Sequence, residues 1–413
     1  MTAPRFLPIY LCFAAAYVLS YTYRTANAVI SPDLTASLGI SASSLGLLTG
    51  AYFVAFASMQ IPCGILLDRY GPRRVEPVLL VAAALGAAAF AASDTLAGLT
   101  AARALIGAGV AVCLMAPVKA IATWYPRERQ PSLGGWMMFA GGVGALLSTT
   151  PLAAALDVMS WRAIFVALAV ATLGAAIAIA VVVPDTPPEM RAAAARGAWR
   201  GVRRVYGHAR LWWIAPITAL GTGSLMAIQG LWSVPWMMEV NGFTRAQAAD
   251  HLLAMGLTTL GGYGFVALAS TRLARAGIRP RHLVIGGYGL QVAMLALIVA
   301  DAAPFTYALW ALYGSSLAIN ILGYLLLIEG FPRELAGRAT TALNLVMFTT
   351  TFAVQWGIGA VADGVRAAFR LDLAHGLRAA FALIVVAEAI AYAWFALGWR
   401  RHTALAASAS APR

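Results

Sequence analysis

The sequence predicts an all-α integral membrane protein of twelve transmembrane helices, arranged as two pseudo-symmetric six-helix bundles with both termini cytoplasmic. Three observations carry this. Of the 413 residues, 61% are hydrophobic and 11% charged, against about 25% charged in soluble domains. Apolar runs of roughly 20 residues, enough to cross a bilayer, recur from end to end. The second half of the chain also repeats landmarks of the first.

Spans are expected at 6–30, 43–67, 76–93, 97–123, 133–156 and 161–183 in the first half. In the second they are expected at 211–237, 246–270, 282–301, 304–328, 338–362 and 375–399. The first run follows Arg5, lacks a small-residue cleavage site and exceeds a signal-peptide core, so it reads as a retained span. Of the 29 Lys and Arg residues, 21 fall at the termini and in even-numbered loops, and the positive-inside rule makes that side cytoplasmic. The net charge of +13 is therefore a topology signal of a multi-pass inner-membrane protein rather than a nucleic-acid footprint.

The segment 184–210 breaks the pattern with Pro184, Pro187 and Pro188, then Arg191, Arg196, Arg200, Arg203, Arg204 and Arg210. It reads as an Arg-rich cytoplasmic linker between residues 1–183, the first bundle, and 211–413, the second bundle with a short cytoplasmic tail. Pro126-Arg127-Glu128 followed by Asp157 matches Pro332-Arg333-Glu334 followed by Asp363 at one offset of 206 residues. The same offset carries Gly71 and Arg73 onto Gly277 and Arg279, and a slightly smaller one carries Pro32 and Gly39 onto Pro235 and Gly242. A repeat with an even number of helices keeps its orientation, so the halves are related by an axis along the membrane normal, the geometry of rocker-type transporters.

Cys12, Cys63 and Cys113 are odd in number and lie in apolar runs, which excludes a disulfide framework or a zinc cluster. No nucleophile-base cluster and no phosphate-binding Gly-Lys-Ser/Thr loop is present, so an enzyme and an ATP-driven pump are disfavoured and no cofactor is expected.

After the second span stands Gly64-Ile65-Leu66-Leu67-Asp68-Arg69-Tyr70-Gly71-Pro72-Arg73-Arg74, with an echo from Arg272 to Arg281. This resembles the loop signature of the major facilitator superfamily. Arg103 to Gly109 resembles the family's second motif, and Trp161-Arg162-Ala163-Ile164-Phe165 the usual opening of its sixth helix. The resemblance covers nearly the whole chain and implies secondary transport by alternating access. Asp68, Arg69, Arg73 and Arg74 then read as gating residues, an acid and several cations able to pair when the cytoplasmic ends of the halves meet. The alternative for the arginines is topology alone. The fifth span lacks the Gly-Pro motif of the family's drug exporters and reads Ala140-Gly141-Gly142-Val143-Gly144. Glycine pairs such as Gly107/Gly109 and Gly357/Gly359 read as sites of close helix packing.

An ionised side chain within a span is costly and usually faces an aqueous cavity. Arg24, Arg103 and Lys119 qualify. Arg24, roughly two turns before Pro32, resembles the first-helix arginine of the family's organic-phosphate branch, which implies contact with an anionic group. Lys119 is the only lysine in the chain and reads as a substrate or gate residue, or as one that snorkels to the surface. Arg103 reads as a gate, brace or charge relay, or as a hydrogen bond to a neighbouring carbonyl.

Tyr21, Tyr23, Asn27, Tyr52 and Gln60, with Gln229, Trp232, Tyr313, Asn320, Tyr324, Asn344 and Gln355, are candidates for a polar-aromatic pocket, interhelical hydrogen bonding being the alternative for each. Carboxylates in spans are few, with Glu329 the coupling candidate and Glu388 on the last helix. A cationic cavity favours a small organic anion, with a proton or counter-anion as coupling partner and a monomer in the bilayer. Proton-linked efflux of amphipathic compounds and a non-transporting membrane receptor remain as alternatives.

Overall fold

The structure is a computed structural model describing residues 6–126, 130–186, 203–275, 280–301, 306–332 and 335–409, and every regular element among them is helical. The first half contains α1 (Phe6–Leu38), α2 (Ala42–Ser58), α3 (Gln60–Tyr70), α4 (Pro72–Ala92) and α5 (Leu96–Val110). It continues with α6 (Met115–Trp124), α7 (Gln130–Leu147), α8 (Thr150–Leu156) and α9 (Trp161–Val182). The second half contains α10 (Ala209–Ala227), a π-helical turn at Ile228–Trp232, α11 (Ser233–Glu239), α12 (Arg245–Arg275) and α13 (Pro280–Val299). After these come α14 (Thr306–Ser315), a 3-10 turn at Ser316–Ala318, α15 (Ile319–Ile328), α16 (Ala336–Phe369) and α17 (Leu373–Ala409).

Among the described residues nine continuous helical stretches are long and apolar enough to cross a membrane, and α2 with α3, bent by 44°, makes a tenth. α1, of 33 residues, and α12, of 31, lie where the other two of the twelve expected spans fall. At 1.5 Å per residue each is longer than the roughly 30 Å hydrocarbon core. Val78, Val170, Ile390 and Leu397 are 65–76% exposed, an apolar exterior that only lipid can cover.

Several expected spans are interrupted. The second bends at Met59, the fourth turns between α5 and α6, the fifth breaks between α7 and α8, and the tenth carries the 3-10 turn. The first and eleventh run further than expected, to Leu38 and Phe369, because helix α1 continues through Pro32 and α16 through Asp363.

Local chemistry sets the ends. Ser41, Thr95 and Ser160 cap α2, α5 and α9 by accepting from the backbone N–H three residues on. Gly71, at φ 79°, ends α3 in a conformation that L side chains disfavour, and Pro72 starts α4. Gly39 and Gly242, the repeat mates after Pro32 and Pro235, also have positive φ, 61° and 70°. The two halves thus share turn geometry as well as sequence. Gly277, Arg279 and most of the linker, 187–202, lie outside the described residues.

In lipid, helices gain little by burying apolar surface against one another, so close contact depends on small residues. A Cβ on Gly107 would lie 2.2 Å from the Tyr52 carbonyl oxygen, which locks α5 to α2. One on Gly359 would lie 2.2 Å from the Ala42 carbonyl oxygen, so α16 of the second half meets α2 of the first backbone to backbone. The end of the molecule that carries the Asp68–Arg74 loop is termed the terminal end, and the end that carries Asp33 and Asp363 the distal end.

Candidate functional site

Helix α1 presents Ser20, Tyr21 and Arg24 to the space between the halves, where they help line a cavity of about 290 Å³. Two hydrogen bonds set this face. Thr22 Oγ1 donates to the Gly144 carbonyl at 3.1 Å, and Thr25 pairs with Ser148, so α7 and the turn after it hold the next residues round the helix. From the first half the cavity also receives Phe56, Gln60, Met115 and Met138; from the second, Met226, Tyr263, Tyr324, Asn344, Met347 and Phe348. Arg24 is the one charged side chain among the described residues lining it.

Arg24 is 6% exposed, and its guanidinium carbon sits 4.4 Å from the Tyr21 ring centroid, 5.2 Å from Phe56 and 5.5 Å from Phe348. Rings from both halves therefore stabilise it by cation–π attraction. The Tyr52 hydroxyl is a hydrogen-bond neighbour, but Nε has no partner, and no described carboxylate lies within ion-pair distance. Ser20, one helical turn away and 1% exposed, also has a hydroxyl oxygen without a partner. Two unsatisfied buried groups thus share one face of α1.

Arg103 stands behind that helix. Its Nη1 donates to the Tyr23 carbonyl at 2.9 Å and, with the Asn27 amide oriented to satisfy the network, Nη2 and Nε donate to Asn27 at 3.2 and 3.3 Å. The Tyr23 hydroxyl pairs with Thr172 at 3.0 Å, and Tyr52 donates to the Ser20 carbonyl at 3.4 Å. Tyr23, Asn27 and Arg103 are not in the cavity lining: their polar atoms are directed into the first bundle, where they fix the helix that carries Arg24.

The distal end is closed by contacts between the halves. Asp33 on α1 accepts from Arg245 on α12 at 2.9 Å. Asp363 on α16 accepts from the backbone N–H groups of Ala42 and Ser43, at 3.3 and 2.8 Å, and so caps α2 across the interface. Thr150 donates to Asp250 at 3.1 Å, and Gln355 donates to Thr49 at 2.8 Å. Trp232, buried, donates to the Gln355 carbonyl and borders a separate distal pocket of about 500 Å³, so it is not in the Arg24 cavity. Toward the terminal end the seal stops at the Phe56 and Phe348 rings, 4.5 Å apart, where the cavity begins.

Ion pairs at the terminal end behave differently, since each described one stays within its own half. Lys119 donates to Asp68 at 2.6 Å, Arg74 pairs with Asp185 at 2.6 Å, and Arg73 donates to the Ala180 carbonyl. Arg69 lies over the Tyr70 ring. Lys119, expected as a substrate or gate residue, is therefore placed outside the cavity lining, with its ammonium paired to the acid of the loop motif. Nor is Glu329 in the cavity; it is 59% exposed and 3.9 Å from Arg210.

Tyr324 does reach the cavity, where its hydroxyl donates to Asn344, and Gln60 lies beside it. Gln229, within the π-helical turn, borders a small extension with Arg24, Tyr21 and Tyr263. Gln355 and Tyr313 are buried elsewhere, and the Asn320 side chain lies outside the described residues.

Sequence reasoning missed Ser20 and Glu76. Glu76 is 0% exposed, and its oxygens meet only the Cys113 thiol. Its position at the first residue of an expected span resembled an interface, and the Gly71-Pro72 helix start before it was the signal that the helix begins earlier.

The model of the Major Facilitator Superfamily matches residues 13–355 of this chain. A probable L-galactonate transporter of Escherichia coli is 31% identical over 169 residues, 41% of this chain and 37% of its own length. A hexuronate transporter of the same organism is 28% identical over 149 residues, 36% and 34% of the two chains. A probable sulfoacetate transporter of Cupriavidus necator is 22% identical over 252 residues, 56% and 57% of the two chains. The matched region spans about a third to just over half the length of these relatives. Among solved structures, a bacterial homologue of the human lysosomal transporter Spinster, inward-facing and unoccupied, aligns with TM-score 0.75 at 16% identity, over 95% and 96% of the two chains. A D-xylose-proton symporter gives 0.69 at 15% identity, over 95% and 98%. At such identities these two attest the fold.

Proposed function

This chain belongs to the Major Facilitator Superfamily, and from that premise we propose that it is a secondary transporter moving a small organic anion across a bacterial inner membrane by alternating access. The observation that carries the reading is Arg24, a buried cation without a carboxylate partner among the described residues, in a cavity between two halves that are joined at one end. A guanidinium in low dielectric is a strong anchor for an incoming anion.

The Lys and Arg distribution makes the terminal end cytoplasmic, so this conformation is inward-facing: sealed outside by Asp33–Arg245 and the Asp363 cap, and separated inside. Residues 1–183 and 211–413 are the two rocking bodies, and 184–210 links them. On reorientation the Asp68–Arg74 loop is positioned to exchange its contacts within one half for contacts across the halves. That the named relatives are transporters of galactonate, hexuronate and sulfoacetate supports an anionic cargo. Coupling is to a counter-anion or a proton, and exchange is favoured because no acidic side chain appears among the described residues lining the cavity. The cavity is completed by one chain's own halves, so a monomer suffices.

The test is thermal stabilisation of the purified protein by a panel of organic anions, neutral amphiphiles and cations, because a ligand that binds only the folded state raises its apparent stability. Organic anions should stabilise wild type and Lys119→Ala but not Arg24→Ala. If only amphiphiles or cations act, and Arg24→Ala responds as wild type does, the anion reading is wrong and proton-linked efflux takes its place.

A further inference from the structure

Resting on the anion-transport reading, we propose that the cavity selects a monocarboxylate with an apolar body, held by Arg24 and Ser20 at one end and by methionine and phenylalanine side chains along the rest. The charge count comes first. Arg24 is the single cation among the described lining residues. It neutralises one negative charge, and a second on the same substrate would stay unpaired in a low-dielectric site.

The acid end is built. Arg24 Nε and Ser20 Oγ are both buried, both without a partner, and lie one turn apart on α1 in the same cavity wall. A carboxylate has two oxygens to accept from them, one charge-assisted bond from the guanidinium and one from the hydroxyl. An unsatisfied pair of donors is costly in the apo protein and is relieved by such a ligand.

The body of the site argues against a polyhydroxylated acid. Met115, Met138, Met226 and Met347 enter the cavity from four different helices, with Phe56 and Phe348 beside them. Thioether side chains adapt to varied apolar shapes and pack on aromatic rings. Two of the polar groups that could read sugar hydroxyls are already engaged with protein. Tyr324 donates to Asn344, and Gln60 Nε2 donates to the Phe56 carbonyl at 3.4 Å. Among four methionines and two phenylalanines, the several hydroxyls of a sugar acid would lose water and not all recover an equivalent bond. A cavity of about 290 Å³ lies at the small end of ligand sites, which run from roughly 300 to 1,000 Å³. It suits a short aliphatic or single-ring acid.

The experiment measures calorimetric binding of phenylacetate, hexanoate, glucuronate and phenylacetamide to the full chain in detergent, for wild type, Arg24→Lys, Arg24→Gln and Ser20→Ala. Phenylacetate and hexanoate should bind wild type at least tenfold more tightly than glucuronate, and neutral phenylacetamide should not bind. Ser20→Ala should weaken phenylacetate by about tenfold, the worth of one hydrogen bond to a charged group. Arg24→Lys should retain partial affinity and Arg24→Gln none, with folding of each variant checked by its unliganded melting temperature. Tighter binding of glucuronate overturns the apolar-body assignment and leaves the anion reading standing. Binding of phenylacetamide equal to phenylacetate, unchanged in Arg24→Gln, overturns both.

Discussion

Arg103 commits its guanidinium to protein atoms, the Tyr23 carbonyl and Asn27, whereas Arg24 lines a cavity and its buried Nε has no partner. Their sequence signature was the same, an arginine inside an apolar run, and both were legible as buried charges that required an explanation. What separated them was not local. The partners of Arg103 lie on α1, some eighty residues away in sequence, and the partner of Lys119 is Asp68, in a motif read independently as a gate. Ser20 was invisible for another reason: serine hydroxyls in helices usually bond back to a carbonyl one turn earlier, as Ser224 does. Only coordinates reveal the one that does not. Truncating Arg103 to Leu should strand the Asn27 side-chain amide, at a cost of about 1–3 kcal/mol, while the Tyr23 carbonyl keeps its helical hydrogen bond. The expected result is a lowered melting temperature together with weakened anion binding, since α1 loses the brace that presents Arg24. A variant that melts lower but binds normally would make Arg103 a stability residue alone.

Between α2 and α16 the contact depends on Gly359, which admits the Ala42 carbonyl, and on Asp363, which supplies the cap that the first N–H groups of α2 otherwise lack. Asp363 emerged from the sequence as a repeat anchor paired with Asp157, but its role as a cap across the halves did not, because a capping residue is normally sought just before its helix. The element boundaries were legible where Ser41, Thr95, Ser160 and Gly71-Pro72 punctuate them. The break inside the fourth span was not, since it falls in the apolar run Ala111-Val112-Cys113-Leu114, and those in the fifth and tenth, at Ser148-Thr149-Thr150-Pro151 and Gly314-Ser315-Ser316, are polar interruptions too short to end a span on hydropathy. Asp363→Ala should remove a cap worth about 1 kcal/mol, shifting the balance of open and closed distal ends roughly fivefold. A cysteine placed at Thr49, beneath the cap, reports it: thiol labelling from the distal side should speed up in Asp363→Ala by about that factor. Unchanged labelling would mean that Asp33–Arg245 and the glycine contact hold the seal unaided.

For the molecule as a whole, twelve crossings, the repeat and the arginine bias were readable because they are statistical properties of long segments, insensitive to any one contact. Which end is closed was not, since both arrangements satisfy the same hydropathy pattern and differ only in contacts between the halves. The one described ion pair joining the two halves, Asp33–Arg245, lies at the distal end, and those at the terminal end stay within a half. The two ends should therefore respond differently to being tied. Cysteines at 43 and 363, where the Asp363 carboxylate meets the Ser43 N–H at 2.8 Å, can be joined by a short bifunctional thiol reagent in a background where Cys12 is serine; Cys63 and Cys113 are buried. Tying that end fixes the conformation described here without touching the cavity. Flux in vesicles should stop, binding of the anion from the terminal side should persist at full affinity, and a cleavable linker should restore flux on cleavage. Persistence of flux in the tied protein would show that the distal contacts are not the moving gate, and loss of binding would show that the cavity is assembled only when that end can open.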